Sequence, residues 1–183
     1  MNWKKYLSII LGTVFLLTLV YGLGRYHAVT AIIPPFQVYF SPHGGCTEAI
    51  IKQIDNAKSE ILVQAYSFTS TAIAKSLLDA HTRNVRVEVI LDKSQKTQNY
   101  SSATFLANSR IPTFIDSNHA IAHNKVMIID NNIVITGSFN FTKSAECKNA
   151  ENLLIIKSDE IAKLYIENWN NHKEHSEPYG PRD

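Results

Sequence analysis

The sequence predicts an α/β layered domain preceded by an apolar leader helix. Segments with strand composition alternate with segments of helical periodicity, and an uncharged apolar run lies near the N-terminus. The chain of 183 residues is 45% hydrophobic and 10% aromatic, which is enough for one core of ordinary size. We therefore expect a leader at residues 1–31, one domain at 32–175 and a flexible tail at 176–183.

The leader carries an apolar segment at residues 6–24, flanked by Lys4, Lys5 and Arg25. Its length suffices to cross a bilayer as a helix, and the cationic residues before it predict a cytoplasmic N-terminus. A small-residue cleavage site at 29–31 slightly favours export with cleavage over permanent membrane anchoring. In either case we expect the domain outside the cytoplasm: periplasmic, extracellular or membrane-anchored.

The formal charge of +2 depends on the leader. Three of the 18 Lys and Arg residues lie there with no acidic residue, so the remaining chain has 15 basic and 16 acidic side chains. Overall charge therefore does not indicate nucleic-acid binding, and any such surface must be a local patch.

After a proline-containing linker, the first half of the domain alternates strands with helices. Strands are predicted at 36–41, 61–68 and 85–92, the last with valines inward and charges outward. Helices are predicted at 48–57, with Thr47 as its N-cap, and at 71–81. The buried face of the first helix is marked by Ile50, Ile51 and Ile54.

In the second half, residues 110–116 form a short strand, and residues 126–130 and 133–136 form a hairpin. Asn131-Asn132 suits the turn, because Asn tolerates positive φ. A last strand begins at Asn152, and residues 159–172 form an amphipathic helix. Its inward positions are Ile161, Leu164, Tyr165, Ile166 and Trp169.

Polar residues at both ends of the hairpin point to phosphate-ester chemistry. His123 and Lys125 share one strand face, so an imidazole and an ammonium project side by side. Gly137 allows a tight backbone path that returns Ser138 and Asn140 to the same place. A nucleophile or acid/base, a fixed cation and neutral donors are what a phosphate ester needs.

These residues resemble the signature of the phospholipase D superfamily. His123-Asn124-Lys125, Asp130 and the run 137–140 (GSFN) match its H-x-K, Asp and G-S-x-N positions. Residues 61–70, 137–146 and 148–156 resemble its short, single-motif bacterial endonucleases, and residues 40–42 with 46–48 resemble their mitochondrial relatives. The resemblance implies a mixed β-sheet flanked by helices on both faces.

The resemblance also implies residue roles. His123 is the nucleophile that forms a phosphohistidine, Lys125 and Asn140 hold phosphate oxygens, and Ser138 supports the phosphate or the His. Glu151 is expected to hydrogen-bond the catalytic imidazole. Because one motif supplies one His, the family arrangement is a homodimer whose two His residues share one cleft.

Asp130 is a candidate catalytic residue because it belongs to the motif. By strand parity, however, it lies on the face opposite His123 and next to the turn, so capping of the hairpin backbone is at least as good an interpretation. It is also the only acid between His123 and Asn140, too few carboxylates to hold catalytic metal ions. We therefore predict a metal-independent reaction without a cofactor.

Other residues have weaker functional signals. Tyr66 and Phe68 are interpreted as core aromatics and Gln64 as facing the cleft, while the polar segment 93–103 is either a solvated loop or a nucleic-acid contact. His119 is placed near the site entrance.

Cysteine and histidine usage gives no sign of a metal site. Cys46 and Cys147 are the only cysteines, and an exported chain leaves open whether they pair. With no histidines clustered in sequence, no structural zinc site is predicted.

Three functional hypotheses follow. The first is an exported, metal-independent endonuclease that cleaves DNA, with single strands and RNA as further candidate substrates. The second keeps the chemistry but acts on phosphatidyl lipids at a membrane. The third is a non-catalytic nucleic-acid-binding component of an envelope DNA-handling apparatus.

Overall fold

The computed structural model describes residues 3, 12–18, 34–98 and 101–181. The chain divides into two compact units, Met1–Ile33 and Pro34–Asp183. In the first unit residues 12–18 are helical with exposed side chains. The predicted flanking charges and the cleavage site at 29–31 lie outside the described residues, and none of the described helices is long and apolar enough to span a membrane.

The second unit is built on one eight-stranded sheet. The strands are β1 (Phe36–Ser41), β2 (Glu60–Ala65), β3 (Arg86–Asp92), β4 (Thr113–Asp116), β5 (Lys125–Ile129), β6 (Ile133–Gly137), β7 (Glu151–Lys157) and β8 (Glu177–Pro178). Their spatial order is β1-β7-β6-β5-β2-β3-β4-β8. Only the β2–β3 and β3–β4 pairs are parallel, so the predicted mixed sheet is confirmed.

Helices cover both faces of this sheet, as expected. They are α1 (Cys46–Asn56), α2 (Thr71–Thr82), α3 (Ala103–Asn108), α4 (Lys143–Cys147) and α5 (Asp159–Glu174), with a 3₁₀ turn at Lys93–Lys96. The larger core lies between the sheet and α1 to α4. On the other face α5 packs Ala162 and Trp169 against the central strands, and the Trp169 indole donates to the Val63 carbonyl at 3.1 Å.

Three details differ from the predicted pattern, two of them because helices cover both faces of the sheet and one because the chain adds a strand at its edge. Glu88, expected to point to solvent, is buried and forms ion pairs with Arg86 and Lys173. Leu164, expected inward, is 66% exposed, because α5 presents Ala162 and Trp169 to the sheet. Residues 177–178 pair with β4, so this part of the predicted flexible tail is ordered as a strand.

The side chain that caps the N-terminus of α1 is that of Glu146, distant in sequence, and not that of Thr47 as predicted. The helix begins at Cys46 after Gly45, which has a φ of 79°. The Glu146 carboxylate of α4 accepts hydrogen bonds from the backbone N–H of Gly45 at 3.1 Å and of Thr47 at 2.7 Å. A carboxylate at a helix N-terminus satisfies free donors and complements the helix dipole.

The hairpin forms where predicted, but its turn lies one residue earlier. Positive φ occurs at Asp130 and Asn131, and the Asn132 N–H donates to the Ile129 carbonyl at 3.1 Å. Asp shares with Asn the tolerance for this conformation. The hairpin register brings the start of β5 beside the end of β6. Both halves of the motif therefore lie at the same end of these two central strands.

Candidate active site

His123 and Lys125 lie at the entry to β5, next to the end of β2. Lys125 pairs with Ala65 in the antiparallel ladder, and the Tyr66 N–H donates to the Asn124 carbonyl at 2.8 Å. These backbone bonds fix the segment on which both motif side chains stand. The His123 side chain is exposed, and its ring nitrogens make no hydrogen bond to any residue that the structure describes. The imidazole is therefore available to a substrate.

Lys125 is held in a different environment. Its side chain is buried, and the ammonium donates to the His123 carbonyl at 2.7 Å. Burial lowers the pKa of Lys125 below its ordinary value, and the charge of Glu151 acts in the opposite direction. A partly desolvated cation interacts with an anion more strongly than a solvated one does, which suits a phosphate-binding role.

Tyr66 connects these two residues. Its ring contacts the His123 imidazole with centroids 4.6 Å apart, and the Lys125 ammonium lies 5.0 Å from the centroid of the same ring. Tyr66 was predicted to be a core aromatic, but it is only partly buried and contacts both motif side chains. Phe68 does belong to the core. The alternation of side chains along a strand does not predict this difference, because β2 ends at Ala65 and both aromatic residues lie beyond it.

The second half of the motif follows the end of β6, next to the start of β5. Gly137 has a φ of 147°, and a Cβ there would lie 2.3 Å from the Asn152 carbonyl oxygen, so a side chain is excluded. The backbone N–H groups of Ser138 and Phe139 both donate to that oxygen, at 3.1 and 3.2 Å. The Asn140 amide oxygen is buried and has no hydrogen-bond partner among the residues that the structure describes.

Glu151 contacts Ser138 rather than His123. The Ser138 hydroxyl donates to one carboxylate oxygen at 2.6 Å, and the Asn149 amide donates to the other at 3.0 Å. The Asn152 N–H donates to the same hydroxyl at 3.1 Å. The expected Glu151–imidazole hydrogen bond is absent from the described chain, because the short Ser138 bond and Asn149 already orient the carboxylate.

Asp130 lies at the other end of β5, far along the strand from His123. Its carboxylate accepts from the N–H groups of Lys58, Ser59 and Glu60 at 2.8 to 3.2 Å, and from the Ser59 hydroxyl at 2.8 Å. The geometry therefore gives no support to a catalytic role for Asp130. It stabilises the backbone that leads into β2, not the hairpin backbone that sequence analysis considered.

Some predicted neighbours of the site have other contacts. Gln64 is buried, and its amide oxygen has no hydrogen-bond partner within the described part of the chain. In the segment 93–103, the Gln95 amide oxygen accepts from the Phe68 N–H at 3.2 Å, and Tyr100 lies outside the described residues. His119 contacts Asp116.

The two cysteines are free thiols, Cys46 buried and Cys147 partly exposed. Burial, assisted by the charge of Glu146, raises the pKa of Cys46 to about 11. A thiol with such a pKa is a poor nucleophile at neutral pH. Cys46 is therefore unsuited to catalysis.

Comparison with known proteins agrees with this geometry. Residues 50–173 match the family described as "Cardiolipin synthase, PLD-like domain". A Rickettsia conorii protein named phospholipase D is 46% identical over 134 residues, which cover 73% of this chain and 67% of the relative. Human mitochondrial cardiolipin hydrolase is 30% identical over 129 residues, and the match spans about half of that protein, 51%.

A solved structure extends the likeness to three dimensions. Nuc from Salmonella typhimurium, described as a phospholipase D family member, superimposes with a TM-score of 0.78 at 41% identity. The match covers 80% of this chain and 99% of that one. The exposed imidazole beside a buried ammonium suits phosphodiester hydrolysis, the activity of these relatives' superfamily. The match over residues 50–173 and the two bacterial relatives show that the chain belongs to the phospholipase D superfamily.

Proposed function

We propose that this protein is a metal-independent endonuclease that hydrolyses phosphodiester bonds in DNA through a phosphohistidine. The observation that carries the proposal is the exposed His123 ring next to the buried Lys125 ammonium. The resemblance of residues 137–146 and 148–156 to the short bacterial endonucleases of the superfamily supports a nuclease over a lipase. Nuc matches this domain over 99% of its chain, whereas the cardiolipin hydrolase relative has about half its length outside the match.

In the first chemical step, an imidazole nitrogen of His123 attacks phosphorus and the bond to the leaving oxygen breaks. Lys125 and the Asn140 amide bind the non-bridging oxygens, on which charge accumulates. A general acid, supplied by a second group, protonates the leaving oxygen. In the second step that group, now a base, takes a proton from water, whose oxygen displaces His123 from phosphorus and regenerates the imidazole.

That general acid is the His123 of a second copy of this chain. The described part of one chain carries one such imidazole at the site, so a twofold dimer completes it. An apolar strip on β1 and β7, which no described residue covers, supports this assembly. Phe36 and Val38 face Ile156 and Leu154 across the strand pair, and Phe40 continues the strip towards the site. The three β1 residues are 55, 42 and 66% exposed.

We also propose that the domain acts outside the cytoplasm, on the basis of the cationic and apolar leader sequence. The test treats two preparations with protease and detects the domain by immunoblotting. One preparation is intact cells, and the other is cells whose outer envelope is permeabilised while the cytoplasmic membrane stays closed. Protection in both preparations would contradict export.

Phospholipid hydrolysis is the second candidate function. Its specific support is the set of Rickettsia relatives named phospholipase D, at 42 to 46% identity. The same residues would then attack a phosphatidyl phosphate, with the head-group or diacylglycerol oxygen leaving.

The deciding experiment uses the full-length protein in mild detergent with excess EDTA. Single-stranded DNA, duplex DNA, RNA and cardiolipin vesicles are offered in parallel to wild type, His123→Ala and His81→Ala. His81 lies in the last turn of α2, beside the start of β3 and away from the motif residues. It serves as the matched control. We expect DNA cleavage by wild type and His81→Ala and none by His123→Ala.

Other outcomes separate the alternatives. Hydrolysis of vesicles without cleavage of nucleic acid would assign the lipid function to the same site. Nucleic-acid binding without turnover, unchanged in His123→Ala, would replace both enzymatic proposals with the non-catalytic binding component.

A further inference from the structure

A cluster of three histidines and one aspartate lies apart from the motif residues. Asp116 ends β4, and His119 follows it in the loop to β5. His172 lies in the last turn of α5, and His175 is the C-cap residue of that helix. Each element contributes two of the four residues, spaced three apart in sequence. The sequence predicted no histidine cluster, because the four residues come from segments more than 50 residues apart that only folding brings together.

The three imidazoles converge on one carboxylate oxygen. Asp116 Oδ2 lies 2.8 Å from His172 Nδ1, 2.9 Å from His119 Nδ1 and 3.3 Å from His175 Nε2. One ligand atom from each of the four residues lies within 4.8 Å of all the others. When metal–nitrogen bonds are near 2.0–2.1 Å, two ligand atoms of a tetrahedral site lie about 3.3 Å apart. The three distances to Asp116 Oδ2 are close to this value, so small side-chain shifts would give the four atoms tetrahedral geometry.

Hydrogen bonding alone is a poor explanation of this arrangement. A carboxylate oxygen has two lone pairs in its plane, and here three ring nitrogens approach one oxygen. The other oxygen, Asp116 Oδ1, already accepts from the N–H groups of Asn118 at 3.1 Å and His119 at 3.4 Å. These backbone bonds orient the carboxylate and leave Oδ2 directed at the imidazoles, as outer-shell contacts do in metal sites.

The environment of Asp116 suits a metal ligand. The residue is fully buried, so its carboxylate is out of contact with water. A buried carboxylate is stable when it is paired or coordinates a cation, and an ion held among the three imidazoles would supply that charge.

We propose that Asp116, His119, His172 and His175 form a zinc site. The ligand atoms are Asp116 Oδ2, His119 Nδ1, His172 Nδ1 and His175 Nε2. Each imidazole binds as the neutral ring, with its proton on the nitrogen that faces away from the ion. Three nitrogens and one carboxylate oxygen favour Zn²⁺ or Co²⁺ over Mg²⁺ and Ca²⁺, which require oxygen ligands.

The site is structural rather than catalytic. It joins the C-terminal end of α5 to the loop that leads into β5, and His123 follows His119 by four residues in that loop. Two further bonds hold the loop: Lys93 donates to the His119 carbonyl at 2.9 Å, and the Ala122 N–H donates to Asp92 at 2.8 Å. A bound ion therefore stabilises a segment that these two bonds also hold, so removing the ion should lower the melting temperature without abolishing turnover.

Metal binding by the full-length protein tests the proposal. Protein stripped with EDTA and freed of chelator is titrated with Zn²⁺ by calorimetry, and with Co²⁺ by visible absorption. We expect one equivalent of Zn²⁺ to bind, no saturable Mg²⁺ binding, and the intense visible bands of four-coordinate Co²⁺. Zn²⁺ should also raise the melting temperature.

Variants locate the ion. His172→Ala and His175→Ala should weaken Zn²⁺ binding by roughly 100-fold or more and abolish the thermal shift. His81→Ala and His123→Ala should bind as wild type does. If His172→Ala fails to fold, His175→Ala still gives the answer, because that side chain is 30% exposed and caps the helix rather than packing in the core. Absence of stoichiometric binding, or binding that persists in both ligand variants, would overturn the proposal.

Discussion

The ring of Tyr66 packs against the imidazole of His123 with centroids 4.6 Å apart and an interplanar angle of 54°. The contact orients a side chain whose nitrogens bond to no residue in the described chain. It also places the ring face near the Lys125 ammonium, 5.0 Å from the centroid. Tyr66 is thus a positioning residue for both motif side chains.

We expect Tyr66→Ala to lower kcat on an oligonucleotide by on the order of 10- to 100-fold, because the imidazole loses its orienting surface. Tyr66→Phe keeps the ring and should stay within a few-fold of wild type. Steady-state kinetics of both variants provide the measurement. Equal losses in the two would assign the effect to the phenolic hydroxyl instead.

The affinity of the site for phosphate should fall at high pH through Lys125. Burial lowers the pKa of this ammonium, so the residue loses its proton at a lower pH than an ordinary lysine does. The phosphate-binding form is therefore present below this pKa and lost as pH rises through it. The measurement is the pH dependence of inorganic phosphate binding by wild type and Lys125→Arg, because a kcat/KM profile would also report the imidazole acid. The guanidinium stays charged, so the alkaline limb should move upward in the variant; an unchanged limb would identify another group.

Asp130→Ala should lower stability rather than turnover. The substitution leaves three backbone N–H groups and the Ser59 hydroxyl without their acceptor. We expect a loss of about 1–3 kcal/mol in the free energy of unfolding, measured by urea denaturation. The kcat of the folded fraction should remain near that of wild type. A large loss of kcat with unchanged stability would restore a catalytic role.

Cys46 should resist alkylation at neutral pH. Burial raises its pKa to about 11 from an ordinary value of 9.0, so the folded state holds the thiol proton more tightly than the unfolded chain does. Its contribution to stability is complete below pH 9 and is lost as pH rises through 11. Iodoacetamide labelling of Cys147→Ser, read by mass spectrometry, should be slow until urea unfolds the protein. Rapid labelling in the folded state would contradict this prediction.

The apolar strip of β1 should hold the proposed dimer together. Phe36→Ser combined with Val38→Ser removes two exposed apolar side chains, which should weaken self-association and lower activity most at low protein concentration. Gln37→Ser, at the intervening exposed position, is the matched control. Analytical ultracentrifugation and activity against dilution are the measurements. A monomer with undiminished specific activity on dilution would contradict the dimeric site.

Much of the fold and the central motif could be predicted because their signals are local. Strand alternation, helical periodicity and turn residues are determined by neighbours in sequence, which is why the hairpin and its two motif segments appear where expected. His123 and Lys125 likewise share one end of a strand because they are two residues apart. The spacing of the motif was enough to place the chain in its superfamily.

Long-range contacts decided the rest. Glu146 caps a helix about 100 residues earlier, and Glu151 bonds Ser138 instead of His123, because partner choice depends on which strands become neighbours. The same is true of the cluster at Asp116. Its histidines are separated by more than 50 residues of chain, and only the packing of α5 across the sheet brings His172 within 2.8 Å of that carboxylate. No local periodicity encodes such a meeting, since it depends on the crossing of two elements distant in sequence.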